Sequence, residues 1–97
     1  MISEISYNTL KWLYNKPDAI IISYHRLYKM YMGFNHYTID CPIVTKICQI
    51  DYQYAKELIE REFIDVVFLF CEDNDNDYST YRINNTGEQY LGNCGFA

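Results

Sequence analysis

The sequence FIDVVFLFCEDNDNDYSTYRINNTGEQYL, residues 63–91, contains the clearest structural pattern of the chain. Residues 65–71 are rich in β-branched and aromatic side chains, and residues 78–83 form a second run of this kind. The segment EDNDND, residues 72–77, lies between them, and Asp and Asn favour turns because they bond their own backbone. The pattern predicts an antiparallel hairpin. Since a hairpin alone buries too little apolar surface to be stable, helices from the rest of the chain must cover it.

Length and composition predict one domain, residues 1–97, with a core that requires no disulfide or metal ion. The chain has 97 residues, of which 49% are hydrophobic and 18% aromatic. The spacing of the two histidines and of the four cysteines (Cys41, Cys48, Cys71 and Cys94) matches no metal site, so we expect reduced thiols and no cofactor. We find no secretory signal and no apolar stretch long enough to span a bilayer, and therefore expect a cytoplasmic protein.

The negative charge is concentrated in the C-terminal third of the chain. The formal net charge is −5, and residues 65–91 contain six acidic residues and one basic residue, whereas residues 1–64 contain seven of each. The whole excess therefore belongs to the predicted hairpin and the segment after it. A negative field repels nucleic acid and membrane headgroups and attracts basic partners.

The remaining segments predict mainly helices. Ser3 is a suitable cap for a first helix, and Asn84 for a last one. Residues 18–32 follow helical spacing with Gly33 as the stop, although three consecutive isoleucines also favour a strand over residues 19–24. Pro42 suits the first turn of another helix, and Asp51 is a candidate cap for the next. The predicted helices are residues 2–15, 18–32, 42–48, 51–62 and 84–91, with one continuous helix over residues 42–62 as the alternative to two.

Residues 44–51, VTKICQID, resemble a helix-turn-helix. Their apolar and capping residues occupy the places that this motif requires, and Ala55 and Ile59 match buried positions of its second helix, although Gln49 stands where the turn usually has Gly. The following strand, turn and strand, together with INNTGEQYL at residues 83–91, look like the end of small winged-helix proteins of phages and mobile elements. The resemblance implies an α+β, winged-helix-like fold with three or more helices, a C-terminal two-stranded wing and a short last helix.

The acidic wing favours binding to a protein rather than to DNA. Glu72, Asp73, Asp75 and Asp77 lie where DNA-binding members of the family usually have Lys or Arg. The sequence contains no catalytic motif, so we expect no enzyme. Our first hypothesis is an acidic binding protein, encoded by a phage or mobile element, that acts on a protein with a basic surface. Some small acidic phage proteins act in this way, as anti-CRISPR or other anti-defence inhibitors.

The same acidic segment also has the alternating carboxylates that begin a calcium loop. A calcium loop requires Gly at its sixth position and Glu at its twelfth, and this chain has Tyr78 and Asn84 there. We therefore predict no metal at this site.

The alternative hypothesis is a winged-helix transcriptional regulator that binds duplex DNA as a dimer. Gln can bond adenine and Lys can contact phosphate. The residues that would face the groove are Lys46, Tyr52, Gln53 and Lys56, with Arg82 on the wing. A homodimer is also compatible with the protein-binding hypothesis, and neither hypothesis involves a membrane.

Overall fold

The computed structural model describes residues 2–16, 19–25, 29–37, 42–70 and 78–95, and within them it places the backbone, but not the side chains, of residues 34–37, 42–48 and 68–70. The class is α+β, as the sequence predicts. The elements in chain order are α1 (Glu4–Asn15), β1 (Ala19–Tyr24), β2 (Lys29–Tyr37), β3 (Pro42–Ile50), α2 (Tyr52–Glu60), β4 (Ile64–Phe70), β5 (Tyr78–Ile83) and α3 (Asn85–Asn93). The strands form one antiparallel sheet in the order β3-β2-β1-β5-β4.

The centre of the sheet is β1, so the predicted helix over residues 18–32 is wrong and the alternative strand over residues 19–24 is confirmed. Ile20, Ile21 and Ile22 are 0%, 0% and 1% exposed. Successive side chains of a strand point to opposite faces, so both faces of the sheet are covered at β1. Consecutive β-branched residues suit a strand that is buried on both faces better than they suit a helix that has one solvated side. Gly33 lies within β2, next to a register shift, and does not end a helix.

The predicted helix over residues 42–48 is also wrong, as is the alternative single helix over residues 42–62. The strand β3 occupies this segment and pairs with β2 from Tyr37↔Pro42 to Met30↔Ile50. The β-branched side chains of the segment IVTKI favour a strand, and Pro42 is tolerated because β3 lies at the edge of the sheet. The first helix of the expected helix-turn-helix is therefore absent. The second is present as α2, which ends at Glu60 and has Asp51 at its N-cap position without a side-chain capping bond.

The C-terminal predictions are largely confirmed. Strands β4 and β5 pair in antiparallel fashion from Ile64↔Ile83 to Phe70↔Tyr78, as expected of the hairpin. The side chain of Asn84 caps α3 by accepting a hydrogen bond of 2.8 Å from the Gly87 N–H. This helix extends two residues beyond the predicted range of 84–91. The acidic residues 72–77 lie outside the described residues.

The helices pack together against one face of the sheet. Leu10 of α1, Leu58 of α2 and Leu91 of α3 are 0%, 0% and 1% exposed and share a core with Ile21 and Met30. Burying a leucine side chain contributes roughly 1.5–3 kcal/mol, so this layer supplies much of the folding free energy. The alternate residues Ile20 and Ile22 point to the opposite face.

Polar contacts fix α1 against α2. The Ser3 backbone N–H donates to Glu57 Oε1 at 2.8 Å, and the Ser6 hydroxyl donates to the Tyr54 carbonyl oxygen at 3.1 Å. The hydrogen bond from the Ser3 backbone N–H lowers the pKa of Glu57 because it favours the charged carboxylate. These contacts set the position of α2 over the sheet, and with it the position of the side chains described next.

Candidate functional site

Four strand ends meet at one end of the sheet. Tyr24, the last residue of β1, pairs with Lys29 at the start of β2 and with Tyr78 at the start of β5. Phe70, the last residue of β4, also pairs with Tyr78. We call this region, defined by Tyr24, Lys29, Phe70 and Tyr78, the Tyr24 end of the sheet. Because β3 also ends here, at Ile50, the N-terminus of α2 is brought to the same end.

The predicted acidic site is connected to the Tyr24 end. The side chains of Glu72, Asp73, Asp75 and Asp77 lie outside the described residues, but the strands on both sides of them are paired up to Phe70 and Tyr78. Antiparallel partners have Cα atoms about 4.5–5.5 Å apart, so the connecting segment begins and ends at nearly the same point. Both residues that flank the segment with the four carboxylates are therefore fixed at this end of the sheet.

Three tyrosines form a cluster at the Tyr24 end of the sheet. The ring centroids of Tyr24 and Tyr31 are 5.8 Å apart, and those of Tyr24 and Tyr78 are 6.0 Å apart. All three residues are half-buried. By strand alternation they lie on the face of the sheet opposite the helices, next to Ile22. Sequence reasoning missed this cluster because it placed Tyr24 and Tyr31 on a helix, whereas strand pairing joins them to Tyr78.

A groove of about 470 Å³ opens between α2 and the Tyr24 end on the helix side. Its floor is apolar, with Met30 only 2% exposed, and Tyr52, which is 56% exposed, stands at its rim. A concave, mostly apolar space with a few polar groups is the usual form of a binding site. The lining residues are Ser23, Tyr24, His25, Met30, Tyr52, Lys56, Ile59, Glu60 and Tyr81.

Two charged side chains of α2 stand on one wall of this groove. Lys56 Nζ lies 3.7 Å from Glu60 Oε1, and the two side chains are 52% and 64% exposed. The same Nζ lies 5.9 Å from the centroid of the Tyr52 ring. An exposed ion pair of this kind contributes roughly 0–1 kcal/mol, so little free energy holds Lys56 in this place.

A serine and a histidine lie within hydrogen-bond distance at the inner end of the groove. His25 Nε2 is 2.8 Å from Ser79 Oγ, and Ser79 is 3% exposed. Such a pair is also part of nucleophilic catalytic sites, where the hydroxyl must reach a substrate. Because the Ser79 hydroxyl is buried, we interpret the contact as the hydrogen bond that a buried serine requires.

The residues predicted to bind DNA do not form one surface. Tyr52 and Lys56 line the groove on α2, and Gln53 is exposed on the same helix. Arg82 follows Tyr81, which faces the groove, so strand alternation directs it to the other face of the sheet. The Arg82 Nε atom is buried there without a hydrogen-bond partner. Lys46 lies in β3, and its side chain is outside the described ones.

Three other features can be stated for the described residues: metal-binding groups, free thiols and membrane-spanning helices. In this part of the chain, no three His, Cys, Asp or Glu side chains come together to hold a metal ion. Cys94 is an exposed free thiol, and the side chains of the other three cysteines are not described. Among the helices that the structure describes, none has the length and apolar character needed to cross a membrane.

Comparisons of the chain with protein-family models, with curated proteins and with solved structures found no match.

Proposed function

We propose that this protein is a non-enzymatic binding module that contacts a protein partner with a basic surface through the Tyr24 end of its sheet. One observation carries the proposal: Phe70 and Tyr78, between which the sequence has four carboxylates, are paired at the end of the sheet where three tyrosines cluster. Carboxylates attract Lys and Arg, and tyrosine rings bind their cationic groups and stems.

Like charges so close together repel one another, and a turn does not require four of them. The repulsion is modest in water because exposed charges are screened. On binding to a cationic surface each carboxylate contributes favourably, mainly to the association rate and with a strong dependence on salt. An inhibitor that occupies the basic nucleic-acid channel of a cytoplasmic defence protein is one function of this kind, and charge and size support it only by analogy.

The competing hypothesis, a winged-helix regulator that binds DNA, has weaker support. The strand β3 occupies the place of the first helix of the motif, and Arg82 lies on a different face from Tyr52 and Lys56. The carboxylates of residues 72–77 would also oppose the approach of phosphates. Duplex DNA at low salt is therefore the discriminating ligand, because phosphate contacts are strongest there.

The test compares two variants of equal charge. The site variant carries Asp73→Asn, Asp75→Asn and Asp77→Asn, and the control carries Glu4→Gln, Glu62→Gln and Glu88→Gln at exposed positions away from the Tyr24 end. Binding of a fluorescein-labelled hexalysine peptide is measured by anisotropy across a salt series, after circular dichroism has confirmed folding. We expect the site variant to lose affinity and salt dependence, and the control to retain most of both.

Equal losses in the two variants would show that only net charge matters and would contradict the proposed site. A shift of duplex DNA by the wild-type protein, lost in Lys56→Met, would instead favour the regulator.

A further inference from the structure

The groove beside α2 already contains a cation between an aromatic ring and a carboxylate. Lys56 Nζ lies 5.9 Å from the Tyr52 ring centroid and 3.7 Å from Glu60 Oε1. Both distances are near the outer limit for their type of contact, since cation–π contacts extend to about 6 Å. The ammonium group is thus held loosely between a ring and an acid.

We propose that this groove binds an arginine side chain of the basic partner, which displaces Lys56 from Glu60 and Tyr52. The inference rests on the proposed function, because it specifies the chemistry of the same partner. The apolar floor formed by Met30 and Ile59 accommodates the methylene stem of the arginine. The guanidinium group then stacks on Tyr52 and pairs with Glu60.

Arginine fits this arrangement better than lysine for a geometric reason. The guanidinium group is planar, so one plane can stack on an aromatic ring while its edge donates two hydrogen bonds to a carboxylate. An ammonium group is compact and strongly hydrated, and Lys56 shows that it reaches neither Tyr52 nor Glu60 closely. The Lys56 side chain is already 52% exposed in the structure, so it can turn into solvent when it is displaced.

The groove and the acidic segment are connected through the Tyr24 end of the sheet. Tyr24 lines the groove and also contacts the ring of Tyr78, the residue that follows the acidic segment. A basic partner segment that is attracted by the negative charge of the chain can insert one side chain between α2 and the sheet. The carboxylates attract lysine and arginine side chains alike. The groove then provides the preference for arginine.

The test uses two fluorescein-labelled peptides of equal charge, hexaarginine and hexalysine, titrated against the intact protein by anisotropy. A cation–π contact at an exposed site together with a bidentate carboxylate pair predicts about a 3–10-fold preference for hexaarginine. Tyr52→Ala and Glu60→Gln should each reduce this preference; Tyr52→Ala should leave hexalysine binding nearly unchanged, and Glu60→Gln should lower hexalysine binding only slightly, through the loss of one charge. Tyr14→Ala, which removes a tyrosine 41% exposed on α1, is the control for Tyr52→Ala.

Lys56→Met provides the sharpest result because it removes the competing cation. We expect it to raise the affinity for hexaarginine about 2–5-fold, as expected from a contact of ordinary cation–π strength. Lys16→Met makes the same change of charge at the exposed C-cap position of α1 and should raise both affinities slightly and equally.

Each outcome decides a separate point. Equal binding of the two peptides, or a preference that survives Tyr52→Ala and Glu60→Gln, would overturn the arginine site and leave the acidic surface intact. Failure of the wild-type protein to bind either peptide at low salt would overturn both the arginine site and the proposed function.

Discussion

Replacement of Gly87 by alanine should destabilise the protein, although alanine is the better helix former. Gly87 lies in the first turn of α3, where an added Cβ would stand 2.9 Å from Ile83 Cγ1 and closer still to the Phe63 carbonyl oxygen. The carbonyl oxygen belongs to the backbone and cannot rotate away. It also accepts a hydrogen bond of 3.1 Å from the Asn84 N–H, the residue that caps α3.

The size of the effect follows from three contributions. Overpacking costs about 1–3 kcal/mol, and weakening the Asn84–Phe63 hydrogen bond costs about 0.5–1.5 kcal/mol. The gain in helix propensity from Gly to Ala offsets about 1 kcal/mol. The net loss is therefore about 0.5–3.5 kcal/mol, and each kcal/mol lowers the Tm of a domain of this size by roughly 4–8 °C.

The matched control is Gly92→Ala in the same helix. A Cβ at Gly92 would have no neighbour within 4 Å, so this variant should be as stable as the wild type or more stable, by about 0.5–1 kcal/mol. Thermal and urea unfolding, followed by circular dichroism, measure both variants. A Gly87→Ala protein as stable as Gly92→Ala would refute the close approach of α3 to Phe63.

Three further predictions concern stability. Glu57→Gln should destabilise the protein at neutral pH. The lowered pKa of Glu57 gives stability that is present above the ordinary carboxyl range and lost as pH falls through the folded value, so the difference from wild type in urea unfolding should be full at pH 7 and shrink as pH falls below the ordinary carboxyl range. Asn84→Ala should cost about 0.5–2 kcal/mol through loss of the cap, whereas Asn85→Ala, at the neighbouring exposed position, should leave the unfolding midpoint nearly unchanged. Leu58→Ala should cost about 2–5 kcal/mol because Leu58 is 0% exposed, and calorimetry that finds less than 1 kcal/mol would contradict its place in the core.

The elements that the sequence predicts correctly carry their own local signals. Ser3 and Asn84 cap α1 and α3 with side-chain hydrogen bonds, and the β-rich runs on both sides of residues 71–77 pair as expected. The segment from Ala19 to Ile50 is different because its helical spacing competes with β-branched residues. Pairing of β1 with both β2 and β5 decides in favour of strands, and such long-range pairing leaves no mark in a local pattern.

The same reason explains which parts of the candidate site could be predicted. The concentration of carboxylates in residues 72–77 is visible in the sequence. The groove is not, because His25, Lys56 and Tyr81 are brought together only when β1 lies between β2 and β5 with α2 packed above them. The sequence predicts a role in DNA binding for Tyr52 and Lys56, whereas in the structure both residues line this groove.

The most direct test of the Tyr24 end as the contact surface is a titration of the ¹⁵N-labelled protein with hexaarginine, followed by amide chemical shifts. We predict the largest shift changes at the amides of Tyr24, Lys29, Tyr52 and Tyr78, and small ones at Ala19, Ile64 and Ile83, which lie at the other end of their strands. Shift changes that are largest at that other end, or spread evenly over the protein, would contradict the account.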